Sequence, residues 1–266
     1  MKLERRLVPK PWGRTRLPPI FGNTQGERIG EVWFAGRSEL PLLAKYIFTS
    51  ERLSIQNHPS DSAVRSLGLP HGKEECWYVL EAEPGTSVGL GWTRDVTRDE
   101  IRTAAADGSI IELLDWKSVR EGDFYYVPAG TVHAIGAGIS LLEFQQNTDV
   151  TYRLYDYGRP RELHLDEAIA VAQTGPYSDS RSRSIAPDES TILVEGPPFS
   201  LAHVVGNAGE AHLFEGRRRW ALPIEGIVAV GDEEAGAGEC LLIEGDARID
   251  RIEGRVLIGA AGSTIS

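Results

Sequence analysis

The most informative stretch of the sequence runs from Gly122 to Gly136 and reads GDFYYVPAGTVHAIG. Its apolar residues have the composition of a β-strand, and the Pro128 and Gly130 that follow predict a turn. Such a turn between two strands can hold His133 rigidly at the mouth of a barrel. The fixed positions have the spacing G-x5-P-x-G-x2-H. This stretch therefore predicts two strands joined by a tight turn, with one histidine held at a fixed position after the turn.

A second motif, LSIQNHPSD from Leu53 to Asp61, places a glutamine and a histidine two residues apart. Side chains at i and i+2 leave a strand on the same face, so Gln56 and His58 point the same way. Such a pair can be half of a metal site, but it is more often a hydrogen-bonded pair at a strand end. Taken alone, the motif leaves both interpretations open.

A third motif, GKEECWYVL, starts at Gly72 and adds an acidic residue, Glu75, with Lys73 two residues earlier on the same strand face. The three motifs together supply the candidate metal ligands Gln56, His58, Glu75 and His133. Two imidazoles and two oxygen donors suit zinc. They also suit Mn²⁺ or Fe²⁺, because ligand type restricts the metal without fixing it. We therefore expect one divalent ion per chain, with zinc preferred.

Short β-like segments recur along the whole chain between Gly, Pro, Asp and Asn, as in sandwiches and barrels. Three stretches interrupt them with helical patterns: DSAVRSLGL, TRDEIRTAAADGSIIELLDW and HLDEAIAVAQ. In the second stretch, Thr97 and Glu100 have the spacing of a capping box. In the third, Asp166 is placed to cap a helix. The sequence thus predicts a mainly β protein with short helical insertions.

A polar segment rich in Pro, Gly and Ser, TGPYSDSRSRSIAPDES, separates two strand-rich parts. It has no periodicity, which predicts a linker over residues 176–190. We expect residues 1–175 to form the metal-binding domain. Residues 191–266 should form a smaller β domain that contributes no metal ligand.

The charge of the chain limits its partners. The 266 residues carry a formal net charge of −11, which argues against a broad basic face for nucleic acid or an anionic membrane. No apolar run approaches the roughly 20 residues of a membrane helix, and the start MKLERRLVPKPWG lacks the apolar core of a secretory signal. Cys76 and Cys240 make no disulfide framework. We expect a cytoplasmic monomer or weak homodimer whose partner is a small molecule.

The sequence resembles type I phosphomannose isomerase over most of residues 10–170. The segments that carry the resemblance, in the order seen in that family, are KPWG, GEVWFAG, LPLLAKYI, LSIQNHPSD, GKEECWY, GDFYYVPAGTVHAIGAG, LLEFQQNTDVTYRLYDYGR and LHLDEAI. The resemblance implies a cupin (jelly-roll) barrel with short helical insertions, followed by a degenerate cupin-like β domain. It also implies a zinc enzyme that interconverts mannose 6-phosphate and fructose 6-phosphate, with the four candidate residues as its ligands.

The same resemblance suggests roles for further residues. Glu143, Arg153 and Lys73 match active-site residues of the family, and the fixed charge of Arg153 suits an oxyanion or a phosphate. The group that moves the proton is left open between Glu143, which we favour, Lys73 and a metal-bound water. Ser54 and Arg159 are expected to contact the phosphate.

One departure from the family pattern is the loop after Trp33, which is almost absent. Because this loop lies near the sugar pocket in the family, the identity of the sugar substrate stays open. The alternatives are therefore an isomerase for a different sugar, a cupin that binds a sugar phosphate without turnover, and an iron cupin oxygenase. The presence of Glu143, Arg153 and Lys73 argues against binding alone. Gln56 in place of a histidine argues against the oxygenase.

Overall fold

A computed structural model describes residues 1–36, 40–65, 68, 71–206 and 212–262 of the chain. Antiparallel strands dominate it, which confirms the prediction of a mainly β protein. The shortened loop after Trp33 runs through residues 37–39, which lie outside the described residues. Within the described part of the chain, no helix is long and apolar enough to cross a membrane.

The strands are β1 (Glu4–Arg14), β2 (Ile29–Ala35), β3 (Leu42–Phe48), β4 (Ile55–Asn57), β5 (Glu75–Ala82), β6 (Ser87–Trp92), β7 (Leu114–Ser118), β8 (Asp123–Val127), β9 (His133–Ile135), β10 (Ile139–Gln146), β11 (Tyr152–Tyr155), β12 (Arg183–Ser184), β13 (Thr191–Glu195), β14 (Phe199–Val205), β15 (Arg219–Val230), β16 (Glu233–Gly236), β17 (Leu241–Ile243) and β18 (Arg251–Ala261). The α-helices are α1 (Asp61–Val64), α2 (Arg98–Asp107), α3 (Ile110–Leu113) and α4 (Leu165–Val171).

Contacts between residues divide the chain into two compact units. The first consists of Met1–Ile47, Leu142–Phe144 and Arg183–Ser266, and the second of Phe48–Leu141 and Gln145–Ser182. The N-terminal strands thus group with the C-terminal part of the chain, which the sequence did not indicate. The assignment of domains and linker to 1–175, 176–190 and 191–266 stays a prediction.

Backbone hydrogen bonds within the first unit explain this grouping. The Leu3 N–H donates to the Cys240 carbonyl over 2.9 Å, and the Leu242 N–H donates to the Met1 carbonyl over 2.9 Å. These bonds join residues from opposite ends of the sequence. The first residues of the chain are therefore held by the segment that contains β17.

Antiparallel sheets build the first unit. Strands β1, β2 and β3 are neighbours in one sheet, and β13-β14-β18-β15-β16 is the order in another, with β17 also paired to β15. Phe144 packs edge-to-face against Phe199 and Trp220, with ring centroids 5.4 and 6.0 Å away. These buried aromatic rings form part of the core of this unit.

The second unit contains a sheet with the strand order β11-β4-β9-β6-β7, and a pair formed by β5 and β8. Helices α2 and α4 pack against this sheet through small and aliphatic side chains. Ile101 and Ala104 of α2 and Ile169 of α4 belong to one buried cluster with Trp92 and Val132. The helices therefore close the core of this unit.

Helix α2 begins as the sequence predicts. The Thr97 hydroxyl accepts from the Glu100 N–H over 3.1 Å, and the Glu100 carboxylate accepts from the Thr97 N–H over 2.7 Å. The predicted helical stretch is interrupted at Gly108, which has a left-handed backbone with φ 85°. Its remainder forms α3 and then strand β7.

The prediction that Asp166 caps the third helix is wrong. Helix α4 follows His164 without a side-chain cap, and Asp166 lies in its first turn. A carboxylate there still interacts favourably with the helix dipole. The Asp166 Oδ1 accepts a hydrogen bond from Arg102 of α2 over 2.6 Å, so this side chain connects the two helices.

Candidate active site

Short strands and one turn position the four predicted ligands within the second unit. Gln56 lies on β4 directly opposite His133, the first residue of β9, so the two side chains leave the sheet on the same face. His58 lies one residue beyond β4, and Glu75 begins β5. The Gly130 N–H donates to the His58 carbonyl over 2.8 Å, which ties the turn before β9 to this histidine.

Three of these residues form a compact buried cluster. The candidate donor atoms of His58, Glu75 and His133 all lie within 4.8 Å of one another. The residues are 2%, 1% and 2% exposed. The Glu75 carboxylate lies between the imidazoles, with Oε2 3.4 Å from His58 Nε2 and Oε1 3.4 Å from His133 Nε2. Two nitrogen atoms and a carboxylate thus face one small volume.

Backbone carbonyls orient both imidazoles. His58 Nδ1 lies 2.8 Å from the Val150 carbonyl, and His133 Nδ1 lies 2.9 Å from the Thr131 carbonyl. A carbonyl only accepts, so each Nδ1 carries the hydrogen, and in the neutral imidazole each Nε2 then presents a lone pair. This arrangement, with Nδ1 donating to a carbonyl, is common in histidine ligands of metals.

Gln56 lies beside the cluster and is held by Ser54. The Ser54 hydroxyl donates to Gln56 Oε1 over 2.8 Å, and Gln56 Nε2 lies 3.5 Å from His133 Nε2. A half-turn of the amide would bring Oε1 to the side of His133, while the Ser54 oxygen would accept from Nε2. Gln56 can therefore supply an oxygen ligand without a change in its backbone.

The lysine predicted from the third motif lies against the cluster. Lys73 is 5% exposed, and its Nζ lies 3.0 Å from His58 Nε2 and donates a hydrogen bond to Glu75. The ammonium places a positive charge beside the buried Glu75 carboxylate. Two imidazole nitrogens, a carboxylate and a nearby amide match the donor set of a zinc, manganese or iron site, so these residues fit a divalent ion.

Arg153 lies in the same row of side chains. It is directly opposite Gln56 in the β11–β4 pair, and Gln56 is opposite His133, so the three side chains share one face. Its Nε is buried and has no hydrogen-bond partner among the described residues. Burial lowers the pKa of the Arg153 guanidinium from its usual value, and nearby Arg161 acts in the same direction.

The backbone of Arg153 is held by a residue before helix α4. The His164 N–H donates to the Arg153 carbonyl over 2.8 Å, and the Arg153 N–H lies 3.4 Å from His164 Nδ1. This reciprocal contact fixes the strand that carries the guanidinium. An unpartnered, positioned arginine N–H suits an anionic oxygen.

Glu143 belongs to the first compact unit, whereas the candidate metal ligands belong to the second. It is 3% exposed, and its Oε1 lies 2.9 Å from Lys45 Nζ. Lys45 Nζ also lies 3.6 Å from Glu31 Oε1. Two buried carboxylates therefore share one lysine in this unit.

Arg159, a predicted phosphate contact, pairs with other groups of the protein. Its guanidinium pairs with Asp156 over 3.0 Å and with Glu51 over 3.1 Å, and it donates to the Arg52 carbonyl over 2.8 Å. Ser54, as described, donates to Gln56. The predicted phosphate contacts of Ser54 and Arg159 stay predictions.

The sequence reasoning missed Trp77. Its Nε1 donates to Glu75 Oε1 over 3.2 Å, and its ring packs edge-to-face on His133 with a centroid distance of 5.4 Å. Trp77 lies two residues after Glu75 on the same strand face, so the spacing could have identified it. The Val150 carbonyl left no such signal, because any residue supplies a carbonyl.

Comparisons with known proteins agree with this geometry. No protein-family model matches the chain. It is 33% identical over 242 residues to the mannose-6-phosphate isomerase of Streptococcus mutans, and the match covers 75% of this chain and 76% of that protein. It is 41% identical over 193 residues to the mannose-6-phosphate isomerase ManA of Bacillus subtilis, which covers 68% of this chain and only 57% of ManA.

The fold also matches a solved structure, the crystal structure of mannose 6-phosphate isomerase from Bacillus subtilis. The TM-score is 0.80 at 26% identity, with 97% of this chain and 98% of that chain covered. The predicted fold class is thereby confirmed. Sequence identity over most of both chains and a shared fold lead to one conclusion: the chain belongs to the mannose-6-phosphate isomerase family.

Proposed function

We propose that this chain is a metal-dependent aldose–ketose isomerase that interconverts mannose 6-phosphate and fructose 6-phosphate. The observation that carries the proposal is the buried cluster of His58, Glu75 and His133, in a chain of this family. Its partner would be a small sugar phosphate rather than a nucleic acid or a membrane. We further propose that it acts in the cytoplasm as a monomer or weak homodimer, with catalysis assigned to residues 1–175.

The metal would be one zinc ion per chain, held by Gln56, His58, Glu75 and His133, although Mn²⁺ and Fe²⁺ also suit these donors. A divalent ion supplies Lewis acidity that stabilises negative charge on the oxygens of the substrate. The protein residues around it do the remaining work. Trp77 and the carbonyls of Val150 and Thr131 keep the ligand atoms aimed at one point.

The reaction moves a carbonyl between C1 and C2 of the sugar. A base removes the proton from C2 of the aldose and returns it to C1, through an enediolate, while the hydroxyl proton moves from O2 to O1. We assign the transfer of this carbon-bound proton to the Glu143 carboxylate, the base that the resemblance favours. Lys73 and a water molecule are the other candidates for this role.

The anionic parts of the substrate need fixed positive charge. The buried Arg153 Nε–H has no hydrogen-bond partner in the described part of the chain, and Arg153 lies on the face that Gln56 and His133 share. An arginine stays charged at neutral pH and bonds phosphate or an oxyanion with defined geometry. We therefore propose that Arg153 binds the phosphate or the enediolate oxygen, with Ser54 and Arg159 as further phosphate contacts.

A coupled assay tests the proposal. Purified protein should convert mannose 6-phosphate into fructose 6-phosphate, and it should not act on unphosphorylated mannose. Binding of mannose 6-phosphate without turnover would instead identify a sugar-phosphate-binding cupin. Turnover of another hexose phosphate alone would change the substrate. Oxygen consumption with bound iron would identify an oxygenase.

A further inference from the structure

The two segments that carry three of the candidate ligands cross each other at very short range. The Lys73 N–H donates to the Pro59 carbonyl over 2.9 Å. At Gly72 there is no room for a side chain, since a Cβ atom there would lie 2.4 Å from the Pro59 oxygen and 2.6 Å from the Asp61 nitrogen. The backbone before Glu75 therefore lies directly on the backbone that follows His58.

Asp61 and Gln146 hold this crossing together. Asp61 Oδ1 accepts from the Gly72 N–H over 2.7 Å and from Gln146 Nε2 over 3.0 Å. Gln146 Oε1 accepts from the Glu74 N–H over 2.9 Å, and the Gln146 N–H donates to the Glu74 carbonyl over 3.1 Å. We call these four bonds the Asp61–Gln146 clamp.

The clamp acts on the residue between two site residues. Glu74 is bonded by Gln146 through both its N–H and its carbonyl, and it lies between Lys73 and Glu75 in the chain. Fixing both peptide groups of Glu74 fixes the directions in which its two neighbours project. Those neighbours are Lys73, whose ammonium lies 3.0 Å from His58 Nε2, and Glu75, whose carboxylate lies between the two imidazoles.

We infer that Asp61 and Gln146 are positioning residues, which hold Lys73 and Glu75 against His58 and thereby set the affinity of the cluster for a divalent ion. The inference rests on the proposed function in that the cluster must be a metal site. Residues that orient metal ligands typically change metal affinity about 10–100-fold when they are replaced. The buried Gln146 amide and the Asp61 carboxylate would act as one unit, because they share a hydrogen bond.

Zinc affinity of the full chain, measured by competition with a chelator, tests the inference. Asp61→Ala and Gln146→Leu should each weaken zinc binding about 10–100-fold. Asp61→Asn keeps an oxygen that can accept both hydrogen bonds, so its affinity should stay within a few-fold of the wild-type value. Wild-type affinity in both Asp61→Ala and Gln146→Leu would overturn the clamp.

A charge exchange provides a second test of the same contact. Gln146→Glu removes the donor and sets two carboxylates against each other, so zinc binding should weaken. Adding Asp61→Asn removes one of the two facing negative charges while an oxygen can still accept from the Gly72 N–H, so the double variant should regain part of the lost affinity. A double variant as weak as Gln146→Glu alone would contradict the inference.

Thr49→Ala is the matched control for a general loss of stability. In the same unit, the Thr49 hydroxyl donates to the Gly136 carbonyl over 2.7 Å and accepts from the Ile139 N–H over 2.9 Å. Its removal also costs two buried hydrogen bonds, but these bonds lie outside the crossing. We expect a lower melting temperature with unchanged zinc affinity; an equal loss of zinc affinity in Thr49→Ala would overturn a specific role for the clamp.

The outcomes separate this inference from the proposed function. A chain whose zinc affinity depends on Asp61 and Gln146 as described, but which does not isomerise sugar phosphates, would support the clamp and overturn the function. An active isomerase whose zinc affinity is unchanged by both substitutions would support the function and overturn the clamp. A wild-type chain that binds no divalent ion would contradict both.

Discussion

The Glu143 carboxylate is the residue on which the proposed proton transfer depends. Glu143→Gln keeps the shape of the side chain and removes the base, so turnover of mannose 6-phosphate should fall by about 10²–10⁴-fold. Lys45, which lies 2.9 Å from Glu143, would keep Glu31 as a buried partner. Metal content and KM should stay close to the wild-type values in steady-state kinetics with metal analysis. Turnover within a few-fold of wild type would assign the proton to another group.

Arg153 should act mainly through binding. Arg153→Ala removes a charged donor, and hydrogen bonds to charged groups contribute about 1.5–3 kcal/mol. The KM for mannose 6-phosphate should therefore rise about 10–150-fold. Arg94, an exposed arginine that pairs with Glu100 over 2.9 Å, offers a control of equal charge change, and Arg94→Ala should leave KM unchanged. Equal KM values in both variants would remove Arg153 from the binding site.

Among the residues of the site, the sequence predicted those that belong to short motifs. Gln56 and His58 are two residues apart, and His133 follows a turn with fixed spacing, so short motifs could identify them. The Val150 carbonyl that orients His58 is 92 residues away. The Gln146 side chain that bonds the Glu74 N–H is 72 residues away. Such contacts depend on the folded chain and leave no local pattern.

The turn before β9 is the element whose geometry the site depends on most directly. Gly130 has φ 83°, and a Cβ atom there would lie 2.6 Å from the Val171 carbonyl. Gly130→Ala should therefore add a steric conflict to the backbone cost of about 1–2 kcal/mol for a left-handed residue. It should also shift His133 and reduce zinc retention.

Gly158→Ala is the matched control for this turn. Gly158 has a similar φ of 77°, but a Cβ atom there would meet nothing within 4 Å. Urea unfolding should show that Gly130→Ala reduces the free energy of unfolding by at least about 1 kcal/mol more than Gly158→Ala. Equal losses, together with full zinc content in Gly130→Ala, would show that the turn does not position the site.

Helix boundaries show where local signals suffice. The capping box of Thr97 and Glu100 predicted the start of α2, because both of its hydrogen bonds lie within four residues. The helical pattern after it missed the interruption at Gly108, although glycine is the residue that left-handed helix ends prefer. For α4, an acidic residue in the first turn was mistaken for the cap.

The whole molecule depends on contacts between its ends. Deleting residues 185–266 removes Cys240, the acceptor for Leu3, and the rings of Phe199 and Trp220 that pack on Phe144. Each large apolar side chain left exposed costs about 1.5–3 kcal/mol. We expect the truncated protein to be insoluble or unstable, as measured by soluble yield and circular dichroism. A soluble truncation with full isomerase activity would contradict this expectation.

The composition of a segment does not predict which distant residues that segment contacts. The polar segment expected to be a linker carries specific contacts: the Tyr177 hydroxyl donates to the Tyr126 carbonyl over 2.5 Å, and the Arg181 guanidinium lies 3.4 Å from the centre of the Tyr126 ring. Polar residues and glycines are common in flexible segments and in ordered surface segments alike. Composition therefore does not distinguish the two.

A zinc titration that follows turnover tests the central claim most directly. Zinc is added to chelator-stripped protein while the formation of fructose 6-phosphate from mannose 6-phosphate is recorded. Activity should rise from zero and saturate at about one zinc per chain, and it should do so equally in His212→Ala, which changes an exposed histidine outside the cluster. His133→Ala should stay inactive at the same zinc concentration. Activity in the stripped protein, or wild-type saturation in His133→Ala, would contradict the account.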